Sequence, residues 1–296
     1  MTGSAPNWEV EGRDWPNRRT SRFVDAGGLR WHVQRAGHGP ALLLVHGTAA
    51  ATHSWRDLAP LLARRFSVTA PDLPGHGFTS RPPAPQLSLP GMAGAVAALL
   101  EELGVRPDVC VGHSAGVAVL ARLVLDGRIA PRLLISLNGA LLPLRNVPSH
   151  IAAPIARLLT GSSLVPRMMA WHMASGAPFR RLMAQTGSRL DARGMELYHR
   201  LARNSGHVAA ALGMMSHWDV RPFEKELPKL VGSVVLVSGA HDRMVSPAEG
   251  ERVHALLPAS RHITLPQVGH LAHEERPQAV ADLITELAVE AGVLRA

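Results

Sequence analysis

The stretch Asp108-Val109-Cys110-Val111-Gly112-His113-Ser114-Ala115-Gly116 decides how this chain folds. Asp108 to Val111 has the length and apolar character of a buried strand, and Ala115 to Asp126 reads as the helix after it. Between them Gly112-His113-Ser114-Ala115-Gly116 fits G-x-S-x-G, which sets a serine on a sharp strand-to-helix turn. A residue in that turn is strained, and its neighbours two positions away must be small for strand and helix to pack. The helix start supplies partial positive charge and unpartnered N–H groups beside a developing oxyanion. The pentapeptide alone is common by chance. Its strand–motif–helix context makes Ser114 a candidate nucleophile.

Outward from this point, short apolar runs alternate with helical patterns, the signature of a mostly parallel sheet. Upstream, the strands are Arg22 to Asp25, Leu29 to Arg35, Ala41 to Val45 and Phe66 to Ala70. Ser54 to Arg64 and Leu89 to Leu103 carry helical spacing. Downstream come a strand at Leu133 to Leu137, then Val231 to Ser238, a helix from Pro247 to Leu257, a strand at His262 to Leu265 and a closing helix from Pro277 to Ala288. From about Leu142 to Leu227 no strand pattern appears, and helical segments rich in Met, Ala, Leu and Arg take over. The expected organisation is one α/β core, residues 1–141 with an N-terminal extension and 228–296, interrupted by a helical lid at 142–227. Long connections of this kind are usually functional.

A serine hydroxyl needs a base that is itself oriented by an acid, in the chain order Ser, Asp or Glu, His. Val234 to Ser238 is a late strand, and Gly239-Ala240-His241-Asp242-Arg243 is its loop, so Asp242 is the expected acid. Asp219 and Glu224 are weaker rivals in the lid or its exit. Asn138 could orient an imidazolium but not neutralise it. After the last strand, Gly269-His270 supplies the base, with Gly269 allowing the tight turn. His273 reads as the start of the closing helix. A His270/His273 metal pair lacks a third ligand at useful spacing, and no cofactor is expected. The oxyanion hole needs two N–H groups: Ala115, and Thr48 in His46-Gly47-Thr48 directly after the Ala41 to Val45 strand. His46 reads as a structural histidine. Asp72, Gly75, His76 and Gly77 read as a tight turn without chemistry.

The 296 residues are 46% hydrophobic, enough for a sizeable core. The single cysteine, Cys110, lies in an apolar run and cannot form an internal disulfide. Met1 to Arg19 lacks an apolar signal segment, and no stretch approaches the ~18 apolar residues of a spanning helix. A cytoplasmic protein is expected. The net charge of +8 comes mainly from scattered arginines. That scatter gives no support to nucleic-acid binding, while contact with an anionic membrane surface or an acidic ligand is compatible with it. In the lid, Pro166 to Met173 and Leu212 to Trp218 each combine Met, Trp and His. Such segments either pack on the core or line a large, flat, apolar pocket, with Trp171, Met215 and Trp218 as candidate substrate contacts.

Together these motifs resemble the α/β-hydrolase superfamily from Phe23 to Ala288. A narrower likeness lies in Asp14-Trp15-Pro16-Asn17-Arg18, Gly28 to Gln34, His46-Gly47-Thr48 with Ser54-Trp55, Pro71 to Thr79, the Ser114 elbow, and Gly269 to Glu275. These look like the bacteriochlorophyll-synthesis branch of the fold, the magnesium-chelatase accessory proteins of phototrophic bacteria. The resemblance implies a role near magnesium insertion into protoporphyrin, with a tetrapyrrole ligand and a magnesium-chelatase subunit as candidate partners. Two functions follow as expectations. One is an esterase-like serine hydrolase of a small-molecule ester or related acyl bond. The other is a non-catalytic accessory or carrier that binds a porphyrin or a chelatase subunit in the same pocket. Epoxide hydrolase or dehalogenase chemistry is disfavoured, because those relatives carry Asp at the elbow. Acyl transfer to an acceptor other than water stays open.

Overall fold

The structure, a computed structural model, describes residues 5–143 and 164–295. Eight strands form one sheet: β1 (Ser21–Ala26), β2 (Leu29–Ala36), β3 (Ala41–Val45), β4 (Ser67–Pro71), β5 (Val109–His113), β6 (Leu133–Leu137), β7 (Ser233–Gly239) and β8 (Arg261–Leu265). Their order is β1-β2-β4-β3-β5-β6-β7-β8. β2 runs antiparallel to β1 and to β4, and all other neighbours are parallel.

Strand periodicity explains the two-sided core. Leu43, Val45 and Cys110 face one side, where helices Leu89–Glu102 and Ala115–Leu125 cover them. Leu42, Leu44, Val109 and Val111 face the other, under helices Leu58–Leu62 and Pro277–Glu290. Local chemistry starts the helices: Ser88 accepts from the Gly91 N–H, Asp191 from Gly194 and Asn204 from His207. β3 is flanked by β4 on one side and β5 on the other. The chain therefore reverses its winding there, the switch point at which open α/β sheets place a site beyond the carboxyl ends of their strands. Ser114 and the His46-Gly47-Thr48 loop both follow those strand ends.

The single helix expected over Ser54 to Arg64 is instead a 3-10 turn, Thr52–Trp55, followed by the short helix Leu58–Leu62. Pro60 supplies no N–H and is tolerated only in the first turn, so the helix begins at Leu58, while the side chains of Ser54 and Arg56 are held by the buried carboxylate of Glu274. The N-terminal extension joins the core more closely than its polarity suggests. Trp15 is buried and donates to Thr52 Oγ1 at 3.0 Å.

Between β6 and β7 lie helices Leu164–Ala174, Ala177–Ala184, Ala192–Ala202 and Ser205–His217. Residues 144–163 of the expected lid lie outside the described residues. Polar contacts fasten these helices to the core. His207 accepts from the Gly77 N–H at 3.1 Å through Nδ1 and donates to the Ala49 carbonyl at 3.2 Å through Nε2. Among the described residues no helix is long and apolar enough to cross a membrane.

Candidate active site

Ser114 sits at φ +52°, ψ −122°, a backbone region that non-glycine residues rarely adopt. Its N–H donates to the Leu137 carbonyl at 3.0 Å, and its carbonyl accepts from Val117 and Ala140. The two motif glycines are required by close approach. A Cβ on Gly116 would lie 2.2 Å from the Val45 carbonyl oxygen, and one on Gly112 would lie 2.7 Å from the Val117 backbone. Ala115 opens its helix, so its N–H belongs to the set without an intrahelical partner. Gly47 backs directly onto the elbow, since a Cβ there would lie 2.9 Å from Ser114 Cβ. That contact brings the Thr48 loop alongside the serine. His46 holds the same loop: Nδ1 donates to the Gly47 carbonyl at 2.8 Å and Nε2 accepts from the Leu73 N–H at 2.9 Å. Burial pushes its pKa down, so the ring is a neutral brace.

Asp242 and His270 meet, with Nδ1 of the imidazole 2.8 Å from Oδ2. Oδ2 also accepts from Asn138 Nδ2 at 2.7 Å, and Oδ1 accepts from the N–H groups of Met244 and Val245 at 2.8 and 2.9 Å. The carboxylate is buried and four hydrogen bonds fix it. A proton on Nδ1 leaves Nε2 of His270 as the basic lone pair. His113 ties the base to the elbow: its Nε2 donates to the His270 carbonyl at 2.9 Å. The rivals for the acid are engaged elsewhere, Asp219 with Arg221 and Glu224 with Arg252.

Gly269 does not work through turn flexibility. A Cβ on it would lie 2.4 and 2.5 Å from the backbone of Gly187 and Ser188, so glycine is needed for close passage of the inserted segment. That segment holds the base from outside, because the His270 N–H donates to the Thr186 carbonyl at 3.0 Å and the Leu271 N–H to Ser188 Oγ at 2.8 Å.

Two features escaped the sequence. One is Asn138 as partner of the acid. The other is a buried polar cluster immediately after the base. Glu274 pairs with Arg56, and its Oε1 accepts from Ser54 Oγ and Tyr198 Oη, both at 2.7 Å. Ser54 Oγ in turn lies 2.8 Å from Nε2 of His273. Burial pushes the Glu274 carboxyl up while Arg56 pulls it down, and burial pushes His273 down to about 3. His273 is thus a neutral donor to Ser54. Among the described residues no group of three or more His, Cys, Asp or Glu is placed to hold a metal ion. Cys110 is buried and burial pushes its thiol up, away from reactivity.

The aromatic and methionine candidates separate. Trp171 and Met215 are exposed, whereas Trp218 packs partly against the core. Met214, passed over in the sequence, is the buried residue at the loop, its sulfur 3.5 Å from Thr48 Oγ1.

Residues 40–277 match the family described as alpha/beta hydrolase fold. The chain belongs to that family. It is 32% identical to the magnesium-chelatase 30 kDa subunit of Rhodobacter capsulatus, over 92% of this chain and 96% of the relative. It is also 30% identical to a pimeloyl-[acyl-carrier protein] methyl ester esterase of Methylococcus capsulatus, over 82% and 94%. Among solved structures, an alpha/beta hydrolase fold protein of Burkholderia ambifaria matches with a TM-score of 0.75 and 26% identity. That match covers 90% of this chain and 97% of the other.

Proposed function

We propose that this chain is a serine hydrolase of ester or related acyl bonds, acting in bacteriochlorophyll synthesis near the magnesium-chelatase step. The observation that carries the chemistry is the fully hydrogen-bonded Asp242 carboxylate on Nδ1 of His270. It orients a base for a serine held in a strained elbow. In this reading Nε2 of His270 takes the Ser114 Oγ proton as oxygen attacks the acyl carbon. The N–H groups of Thr48 and Ala115 receive the oxyanion. The imidazolium returns its proton to the leaving alkoxide, and water repeats the sequence to release the acid. Asp242 holds the imidazole in the Nδ1–H tautomer throughout. Likeness to a protein named as a methyl ester esterase supports the reaction class. Likeness to a protein named as a magnesium-chelatase subunit supports the pathway and makes a chelatase subunit the proposed partner.

That subunit name also favours a second reading, a carrier that binds a tetrapyrrole at the same site with Trp218 and Met214 against the ligand. Trp171 and Met215 would contact that ligand only from the exposed side. Replacement of Ser114 by Ala discriminates the two. Hydrolysis of a chromogenic acyl ester should fall by at least about 10³-fold, and complementation of a pigment-synthesis mutant should fail. Complementation by Ser114→Ala protein would sink the catalytic reading in the pathway. Saturable tetrapyrrole binding that weakens in Trp218→Ala would then sustain the carrier.

A further inference from the structure

The backbone around the base is held at three consecutive residues. The Gly269 N–H donates to Oε1 of Glu275 at 2.7 Å, the His270 N–H to the Thr186 carbonyl at 3.0 Å, and the Leu271 N–H to Ser188 Oγ at 2.8 Å. Two of these acceptors belong to the segment between helices Ala177–Ala184 and Ala192–Ala202. The third is tied to that segment, because Oε2 of Glu275 accepts from the Arg189 N–H at 3.0 Å. One carboxylate thus bridges the base loop and the insertion through backbone donors on both sides. The inserted segment is braced where it makes these contacts. Thr186 Oγ1 donates to the Met183 carbonyl at 2.6 Å and accepts from the Ser188 N–H at 3.1 Å. The same segment presses on the loop of the acid, since a Cβ on Gly187 would collide with the His241 carbonyl oxygen.

We infer that Glu275 is a positioning residue for His270, fastening the base loop to the inserted segment so that the imidazole is held in its working place. The inference rests on the serine-hydrolase reading of Ser114 and His270. Asp242 grips the ring only through Nδ1, so where Nε2 lies also depends on the backbone that carries the ring. With three successive N–H groups held, that backbone has one placement. The precision matters, because a reacting group misplaced by about 1 Å can cost about 10²-fold in rate. The residue type fits the task. An ionised carboxylate only accepts and can take both donors, whereas a glutamine offers one carbonyl oxygen and turns an NH₂ group toward the other donor.

Steady-state kinetics on a chromogenic acyl ester, with NMR of the His270 Nδ1 proton on the same full-length proteins, tests the inference. Glu275→Ala should lower kcat about 10- to 100-fold and leave KM within about twofold, since it displaces the base and removes no substrate contact. Glu275→Gln keeps one acceptor and the side-chain shape, and should recover part of that loss. The downfield Nδ1 resonance, sharp in wild type and in Ser114→Ala, should broaden in Glu275→Ala and less in Glu275→Gln. If wild type hydrolyses no ester the hydrolase reading falls, while the resonance needs no turnover and still decides the role of Glu275. Should Glu275→Ala fail to fold, Glu275→Gln decides by both readouts. A folded variant with an unaltered resonance overturns the inference, as does a loss of activity that appears in KM and not in kcat.

Discussion

Asn138 shows at single-residue scale how the Asp242 carboxylate is set. It occupies a left-handed backbone position, φ +50°, which asparagine tolerates better than most residues. From there it donates to the same Asp242 oxygen that receives His270. Asn138→Ala removes one charge-assisted bond, worth about 1.5–3 kcal/mol. The expected result is a kcat on an acyl ester lowered about 10- to 100-fold with KM little changed, measured by steady-state kinetics. Asp242→Asn should be harsher, about 10⁴-fold, because the wrong imidazole tautomer is then favoured. The loops that bring Asp242 and His270 together were legible in the sequence because each follows a strand. The Asn138 contact was not, because its partner is 104 positions away and a single strand register decides whether they meet.

Among the elements, the decisive joint is between the inserted helices and the short helix Ala272–Glu275 that follows the base. Tyr198 comes from the insertion, Ser54 and Arg56 from the turn after β3, and Glu274 from behind His270. Glu274→Ala leaves the Arg56 guanidinium buried without its main partner, which costs about 3–5 kcal/mol. Denaturant unfolding should report that loss. Tyr198→Phe removes only the hydroxyl and should cost about 1–2 kcal/mol. A Glu274→Ala protein as stable as wild type would mean the joint carries no structural weight. Helix and strand bounds were readable because hydrophobic periodicity is local, as the expected and observed Leu133–Leu137 strand shows. The tie between Ser54 and Glu274 was not, since the two residues lie 220 positions apart.

On the scale of the whole molecule, an unusual store of buried neutral histidine makes stability depend on pH. Burial pushes His207 down to about 4 and His273 to about 3, and it also lowers His53, His76 and His113. The unfolded chain takes up protons on these rings below about pH 6.5, while the folded chain does not. Stability is therefore fully present above that pH and falls as pH drops toward 4, at up to about 1.4 kcal/mol per pH unit for each ring. Urea unfolding at pH 7.5 and pH 5, chosen as roughly above and below that onset, should give a lower midpoint at the acid value. An unchanged midpoint would mean the rings are solvated in solution. The fold class was legible at this scale from strand–helix alternation. The way the insertion closes on His270 through Thr186 and Ser188 was not, because loop backbone contacts leave no periodic trace.

The proposed hydrolase chemistry requires Ser114 to be an activated nucleophile, and intact-protein mass spectrometry after reaction with a fluorophosphonate reads that property directly. One adduct should form on wild-type protein and map to Ser114. It should be absent from Ser114→Ala and strongly slowed in His270→Ala. A wild-type protein that stays unmodified while correctly folded, or an adduct that survives in Ser114→Ala, would contradict the account.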